Sequence, residues 1–363
     1  MRNVCKCILL LICCAASCAA QDESQEKILV FRGASDASAA VALAEDLIIV
    51  ADDENNILRV YKTGGGAEIF SYDVSGFLAV ESEHPEADIE GATKVGDRIF
   101  WIASHGRNKD GKLRPSRYRF FATDVKVRNG KVTIKPVGRP CTTLARRMVG
   151  AATMRNLGLE QATRLGAANL KKEQREKLAP KREGFNIEGL CASADGAMMY
   201  IGLRNPRAAD KEGRAGAIVA RLENAGAVVE KGVLPVFAEP ILWDLDGMGV
   251  RSMEYSAFHK AYFVIGGAHD ETAKFALYRW SGEPAEHPEL VRKLSLSDFG
   301  PEALAPFENS APLLLLSDDG TLDIEVAGLA ECMEGELNSD GTCPNKYLTD
   351  PNRKTFRGVR LQP

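Results

Sequence analysis

Carboxylates return along this chain in one local setting. Asp88-Ile89-Glu90-Gly91-Ala92, Asn186-Ile187-Glu188-Gly189-Leu190, Arg251-Ser252-Met253-Glu254 and Pro301-Glu302-Ala303-Leu304 each stand shortly before an apolar run. The runs are Ile99-Phe100-Trp101-Ile102, Met199-Tyr200-Ile201, Tyr262-Phe263-Val264-Ile265 and Leu313-Leu314-Leu315-Leu316. Each ends in a polar loop: Ser104-His105-Gly106-Arg107, Arg204-Asn205-Pro206, Gly267-Ala268-His269-Asp270 and Ser317-Asp318-Asp319-Gly320. A repeated supersecondary unit of this kind implies a radial or stacked array. An acid at the same place in every unit then faces one shared location. Acids that converge repel one another unless something neutralises them. A hard cation such as Ca²⁺, which takes several oxygen ligands, is one neutraliser; Arg107, Arg204 and Arg251 are the others.

The spacing from Glu90 to Ser104, carried to the other units, gives the repeat position as Ser38, Glu90, Glu188, Ser252 (or Glu254) and Glu302. Ser38, Glu90, Glu188, Ser252 and Glu302 are thus the expected metal ligands. Asp52, Arg107, Arg204, Asn205, Arg251 and Asp318, in or beside the loops, are the expected contacts to a small polar or anionic substrate. His105 and Glu188 are the expected acid/base pair for metal-assisted hydrolysis of an ester or phosphoester. A bland reading stands beside each. A Glu-Gly pair at a strand start also serves to accept backbone N–H bonds, with glycine supplying φ freedom, and His105 also fits an exposed loop. A non-catalytic ligand- or protein-binding role with a structural acidic ring is the rival function.

These residues need a scaffold that sets them around an axis. Further strands follow each loop: Leu58–Tyr61, Tyr118–Ala122, Gly216–Arg221 and Phe275–Trp280, then Glu68–Ser71, Val132–Lys135, Leu234–Phe237 and Leu290–Leu294. Four strands per unit predict an all-β, five-bladed β-propeller. The last unit lacks a fourth strand, and Ile28–Phe31 fills it, closing the ring and removing both sheet edges. Residues 27–363 then make one domain. Residues 142–183 carry ten arginines and lysines, with Leu157, Leu159, Leu165, Leu170 and Leu178 on a helical period. They predict a basic helical insertion between the second and third blades, either a solvated excursion or an anion-attracting flank. Residues 321–353 form a polar excursion in the last blade, where Cys332 and Cys343 either pair or stay free.

With Trp101–Asn108, Gly202–Pro206, Ile241–Leu245 and Leu277–Gly282, the two Glu-Gly motifs resemble domain-of-unknown-function family 3616 across essentially the whole chain after the leader. A looser similarity is to five-bladed calcium-activated nucleotidase and phytase-like propellers. The nucleotidases set a Ser and Glu ring on the axis around one Ca²⁺, which Ser38, Glu90, Glu188, Ser252 and Glu302 echo.

Composition narrows the classes further. A formal net charge of -4 gives no reason to expect a nucleic-acid partner, whose phosphates demand a basic face. Hydrophobic residues at 45% and charged ones at 26% fit a globular protein. Residues 1–20 read as an export signal: Arg2 and Lys6, the apolar Ile8–Cys14, then small residues to Ala20. That stretch is too short for a transmembrane span. Cleavage after Ala20 competes with a lipobox reading of Ala15-Ala16-Ser17-Cys18 that makes Cys18 a lipid anchor. The expected location is the periplasm or extracellular space, with or without that anchor. No Cys/His spacing suggests zinc, no Gly-x-Ser-x-Gly elbow is present, and Asp318–Asp323 lacks the final Glu of an EF-hand.

Overall fold

Apolar runs with no polar alternation require burial on both faces of a strand, and the computed structural model shows how that burial is achieved. It describes residues 27–363 apart from 168, 210–212, 271 and 296–297; the residues expected to form an export signal, Cys18 among them, lie outside the described residues. Four sheets of four antiparallel strands and one larger sheet follow one another around a ring. Blade one holds Ala37–Ala44, Leu47–Asp52, Ile57–Lys62 and Phe70–Asp73. Blade two holds Ile89–Val95, Arg98–Ala103, Phe120–Arg128 and Lys131–Cys141. Blade three holds Asn186–Ala192, Met199–Ala209, Ala215–Leu222 and Phe237–Trp243. Blade four holds Gly249–Ser256, Ala261–Gly267, Phe275–Trp280 and Glu289–Leu294. Blade five holds Gly300–Phe307, Ser310–Asp318 and Thr355–Leu361. Its outer strand is Ile28–Arg32, antiparallel to Thr355–Leu361 with Ile28 opposite Val359. The first strand of each blade packs against that of the next, and the fifth returns to the first.

Alternate residues of one strand serve opposite seams. Ile99 and Trp101 join the core between blades one and two, while Phe100 and Ile102 join the core between two and three. Leu313 and Leu315 face blade four; Leu314 and Leu316 face blade one. A strand buried on both sides reads as an unbroken apolar run, which is why the periodicity of a half-exposed strand is missing.

Two local expectations shift, and a choice left open between paired and free cysteines is decided. The fourth strand of blade three is Phe237–Trp243, not Leu234–Phe237, because the helix Ala225–Lys231 and an exposed turn occupy the preceding residues. The insertion is helical in pieces: Leu144–Gly150, Leu159–Thr163 and Lys172–Glu176, interrupted near Gly150, Gly158 and Gly166. Leu144, Met148 and Leu159 plug its start into the seam of blades two and three. In the second excursion, Cys332 and Cys343 are disulfide-bonded beside a small ladder of Asp323–Glu325 with Thr342–Pro344. Among the described residues, no helix is long and apolar enough to cross a membrane.

Candidate functional site: the axial mouth

Each first strand carries one unpaired residue at the same height. The ladder slips between Ala37 and Ala39, Ile89 and Gly91, Ile187 and Gly189, Val250 and Ser252, and Pro301 and Ala303. The bulged residues are therefore Ser38, Glu90, Glu188, Arg251 and Glu302. A bulge re-aims the side chain of its extra residue, and here the five meet at the axis. The residue after each bulge is small because the next blade closes on it. A Cβ on Gly189 would lie 2.7 Å from Val250 Cγ1, and one on Gly91 would lie 3.0 Å from Leu190 Cβ. Close approach, not positive φ, thus explains the Glu-Gly pairs.

Ser252 is corrected by this register. It pairs with Ile265 in the ladder and occupies the small-residue position of Gly91 and Gly189, while Arg251 takes the axial one. The fixed interval failed because the hairpins joining strands one and two differ in length, and a one-residue slip turns a side chain to the other face.

The mouth divides into two halves. In one, Glu188 is enclosed by cations: Arg204 Nη1 and Arg251 Nη1 each lie 3.0 Å from its carboxylate, and Asn186 Nδ2 donates to it at 2.6 Å. Arg251 reaches on to Glu302. All three of Glu188, Arg204 and Arg251 are buried, so this knot is desolvated and mutually compensated. In the other half, carboxylates crowd together. Ligand oxygens of Asp36, Asp52 and Asp53 lie within 4.8 Å of one another, and so do those of Asp53, Asp88 and Glu90. Asp318 flanks them across a bridge to Asp36. Arg117 answers part of this charge, pairing with Asp88 at 2.9 Å and with Glu86.

Burial and like charges push these acids upward. Asp36 rises to about 10 through burial and then Asp318. Asp53 is held well above the ordinary range by burial, Asp36 and Glu90, and Glu90 by burial, Asp88 and Glu188. Asp53 Oδ1 is buried without a hydrogen-bond partner among the described residues. A basin of such acids takes up protons or a cation. It opens into a cavity of about 570 Å³ whose rim includes Lys109, Arg114, Lys181, Arg182 and Lys346.

The other expected residues fall in several places. Asp318, Glu188, Arg204 and Glu302 line the cavity; Arg251 sits behind it in the knot. Ser38 is buried, its Oγ donating to Ile89 O at 2.5 Å, which joins blade one to blade two. Asp52 closes a turn, accepting from the Glu54 and Ser35 amides at 2.9 and 3.2 Å, so Asp53 is the residue that lines the cavity. Arg107 spends its donors on the carbonyls of Gly111, Thr163 and Arg164 and pins the insertion instead of clamping a ligand. Asn205 does similar work on Pro180, Arg182 and His269 carbonyls. His105 is not an exposed loop residue: it is fully buried, stacked edge-on to Tyr118, with Nδ1 donating to Ala103 O at 2.8 Å. Burial lowers it to about 4, so it is a neutral packing residue near neutral pH. Asp36 and Arg117 were missed; Asp53 was placed at the mouth only as part of the loop from which Asp52 was chosen, Asp88 stood in a motif, and no spacing marks the others.

Five closed blades with one bulged residue apiece at the axis define a five-bladed β-propeller with a polar mouth. The chain belongs to the family described as Protein of unknown function (DUF3616), whose model matches residues 36–299. No match was found among curated proteins. Solved structures with a similar course include Myxococcus xanthus glutaminyl cyclase, at 8% identity and TM-score 0.40, covering 80% of this chain and 88% of that one. Another is the Cps50 (Swd1) β-propeller domain of Myceliophteria thermophila, at 10% identity and TM-score 0.33, covering 80% and 96%.

Proposed function

We propose that this propeller is exported and binds a divalent cation, calcium by the hardness of its donors, together with a small anionic ligand at the axial mouth. The observation that carries the reading is the convergence of Asp36, Asp53, Asp88 and Glu90 carboxylates in one half of the mouth, with Asp53 Oδ1 left unpartnered. Oxygen-only donors of this number suit calcium. Glu188 and Glu302, committed to Arg251 and Arg204, are not part of this ligand set, nor are Ser38 and Ser252. The basic rim, Lys181 and Arg182 from the insertion among it, supplies attraction for negative charge.

The reaction that suits such a site is hydrolysis of an ester or phosphoester. A bound cation there would polarise an ester oxygen and lower the pKa of water. Glu90 lines the same cavity as one of the carboxylate donors, and neither His105, buried away from it, nor Glu188, held by two arginines, is the proton carrier there. The Glu188–Arg204–Arg251–Glu302 knot keeps the axis closed below the ligand.

Calcium titration by calorimetry, paired with a panel of phosphoester and carboxylic ester substrates, tests the reading. We expect saturable calcium binding that Asp53→Asn and Glu90→Gln each abolish, and turnover lost in chelator. Absence of calcium binding by the folded protein would remove the cation from the reading. Binding with an inert panel would leave a ligand-binding propeller.

A further inference from the structure

The axis has a second polar end that the mouth does not use. Three residues beyond each bulge, about 10 Å further along the strand, stand Val41, Thr93, Cys191, Glu254 and Ala305. Glu254 reaches across from blade four: its Oε1 accepts from Thr93 Oγ1 of blade two at 3.0 Å, from Cys191 Sγ of blade three at 3.5 Å, and from the Tyr255 amide at 2.9 Å. Three donors on one oxygen fix the carboxyl in place. Its Oε2 takes no hydrogen bond among the described residues, and Glu254 lines a cavity of about 470 Å³ at the end of the axis opposite the mouth.

The cavity's chemistry is distinct from that of the mouth. Its walls are mixed: Val41, Leu43, Ala44, Ala305, Pro306 and Phe307 give apolar surface, Tyr255 an aromatic side chain, and polar groups the rest. Its charges are Glu45, Glu254 and Glu308 against Lys94 alone. Glu45 is engaged on the rim with the backbone and side-chain amides of Asn309, and Lys94 is exposed. Burial pushes the Glu254 carboxyl up to about 8, so its anion is held only where a positive charge comes beside it or the pH is raised. A pre-oriented carboxyl oxygen beside apolar and aromatic side chains suits a cation with an apolar body, by ion pairing and by attraction to an aromatic ring. A metal ion is disfavoured because the remaining walls offer few oxygen donors.

We infer that this far-end cavity is a binding site for a small organic ammonium ion, with Glu254 Oε2 as its anionic anchor. The site is independent of the proposed cation at the mouth.

Phenyltrimethylammonium, whose charge does not change with pH, is the probe, and phenylacetate is its anionic counterpart. Binding is followed by calorimetry and by ligand-observed NMR. We expect saturable one-to-one binding of the ammonium probe, at least tenfold weaker in Glu254→Gln and equally weakened in Ala257→Trp. Ala257 is exposed on the cavity rim, so the second variant blocks the site without touching the core. Glu90→Gln, at the opposite mouth, should leave the affinity unchanged. Unaltered affinity in both far-end variants, loss of binding in Glu90→Gln instead, preference for phenylacetate, or no binding at about 10 mM probe would each overturn the assignment.

Discussion

Asp53 and Glu90 sit in a basin where both like charge and burial oppose their ionised forms. Replacing them together with Asn and Gln removes that opposition. The metal-free double variant should be more stable than the parent by on the order of 1 kcal/mol, and so melt at a higher temperature, while losing the calcium-dependent shift; differential scanning calorimetry with and without calcium reads both. His105 makes an opposite demand. Its folded-state pKa is depressed to about 4, below the ordinary histidine value, because charging it in a buried site is costly. The folded state therefore binds fewer protons than the unfolded one between those values, and stability falls as pH drops from about 6.5 to about 4. His105→Asn, which tolerates the positive φ at that position, should flatten the acid limb by about 1 kcal/mol per pH unit. Urea titrations at stepped pH measure it. From sequence, His105 invited a catalytic reading because its neighbours are polar; only the tertiary packing of Tyr118 and the Ala103 carbonyl removes it from solvent.

At the scale of the strand, the informative device is the bulge. It converts five chain segments of different sequence into one ring, and it pairs each axial residue with a small successor. Gly189→Ala puts a Cβ into Val250, so we expect a loss of about 1–3 kcal/mol through overpacking, seen as a lower urea midpoint at unchanged slope. Ser252→Ala, at the equivalent small position, should be near neutral. Arg251→Met leaves Glu302 without its cation and Glu188 with Arg204 and Asn186 alone, and should cost about 3 kcal/mol. This also marks where sequence reading reached its limit. Glu90, Glu188 and Glu302 were legible because their motifs repeat. Arg251 was assigned to a loop-side clamp and Ser252 to the ring, since nothing in one sequence reveals the hairpin length that sets register. Apart from Asp88, which stands in the first motif, the aspartates of the basin share no motif, and only folding makes them neighbours.

For the molecule as a whole, the five-fold count and the closing strand were readable from long apolar runs and one orphan segment, because each blade must bury two faces. The insertion was less so: its leucines keep a helical period, while its glycines divide the helix. Closure rests on few side chains. Phe31 is fully buried, stacked on Phe356 with centroids 4.8 Å apart. Phe31→Ala should cost about 3–5 kcal/mol, and thermal melts should show the ring losing stability as one unit.

The direction of that closing strand has a further result. Ile28–Arg32 runs toward Ser35 and Asp36 at the mouth, and Arg32 faces Thr355 while Ile28 faces Val359. The polypeptide thus enters blade five from the side away from the acidic basin, and Leu361, opposite Leu313, leaves on that same side. A tag or solid support joined close to Ile28 or Leu361 would hold the blade by its far side, with the carboxylate basin directed outward and open to diffusing solutes.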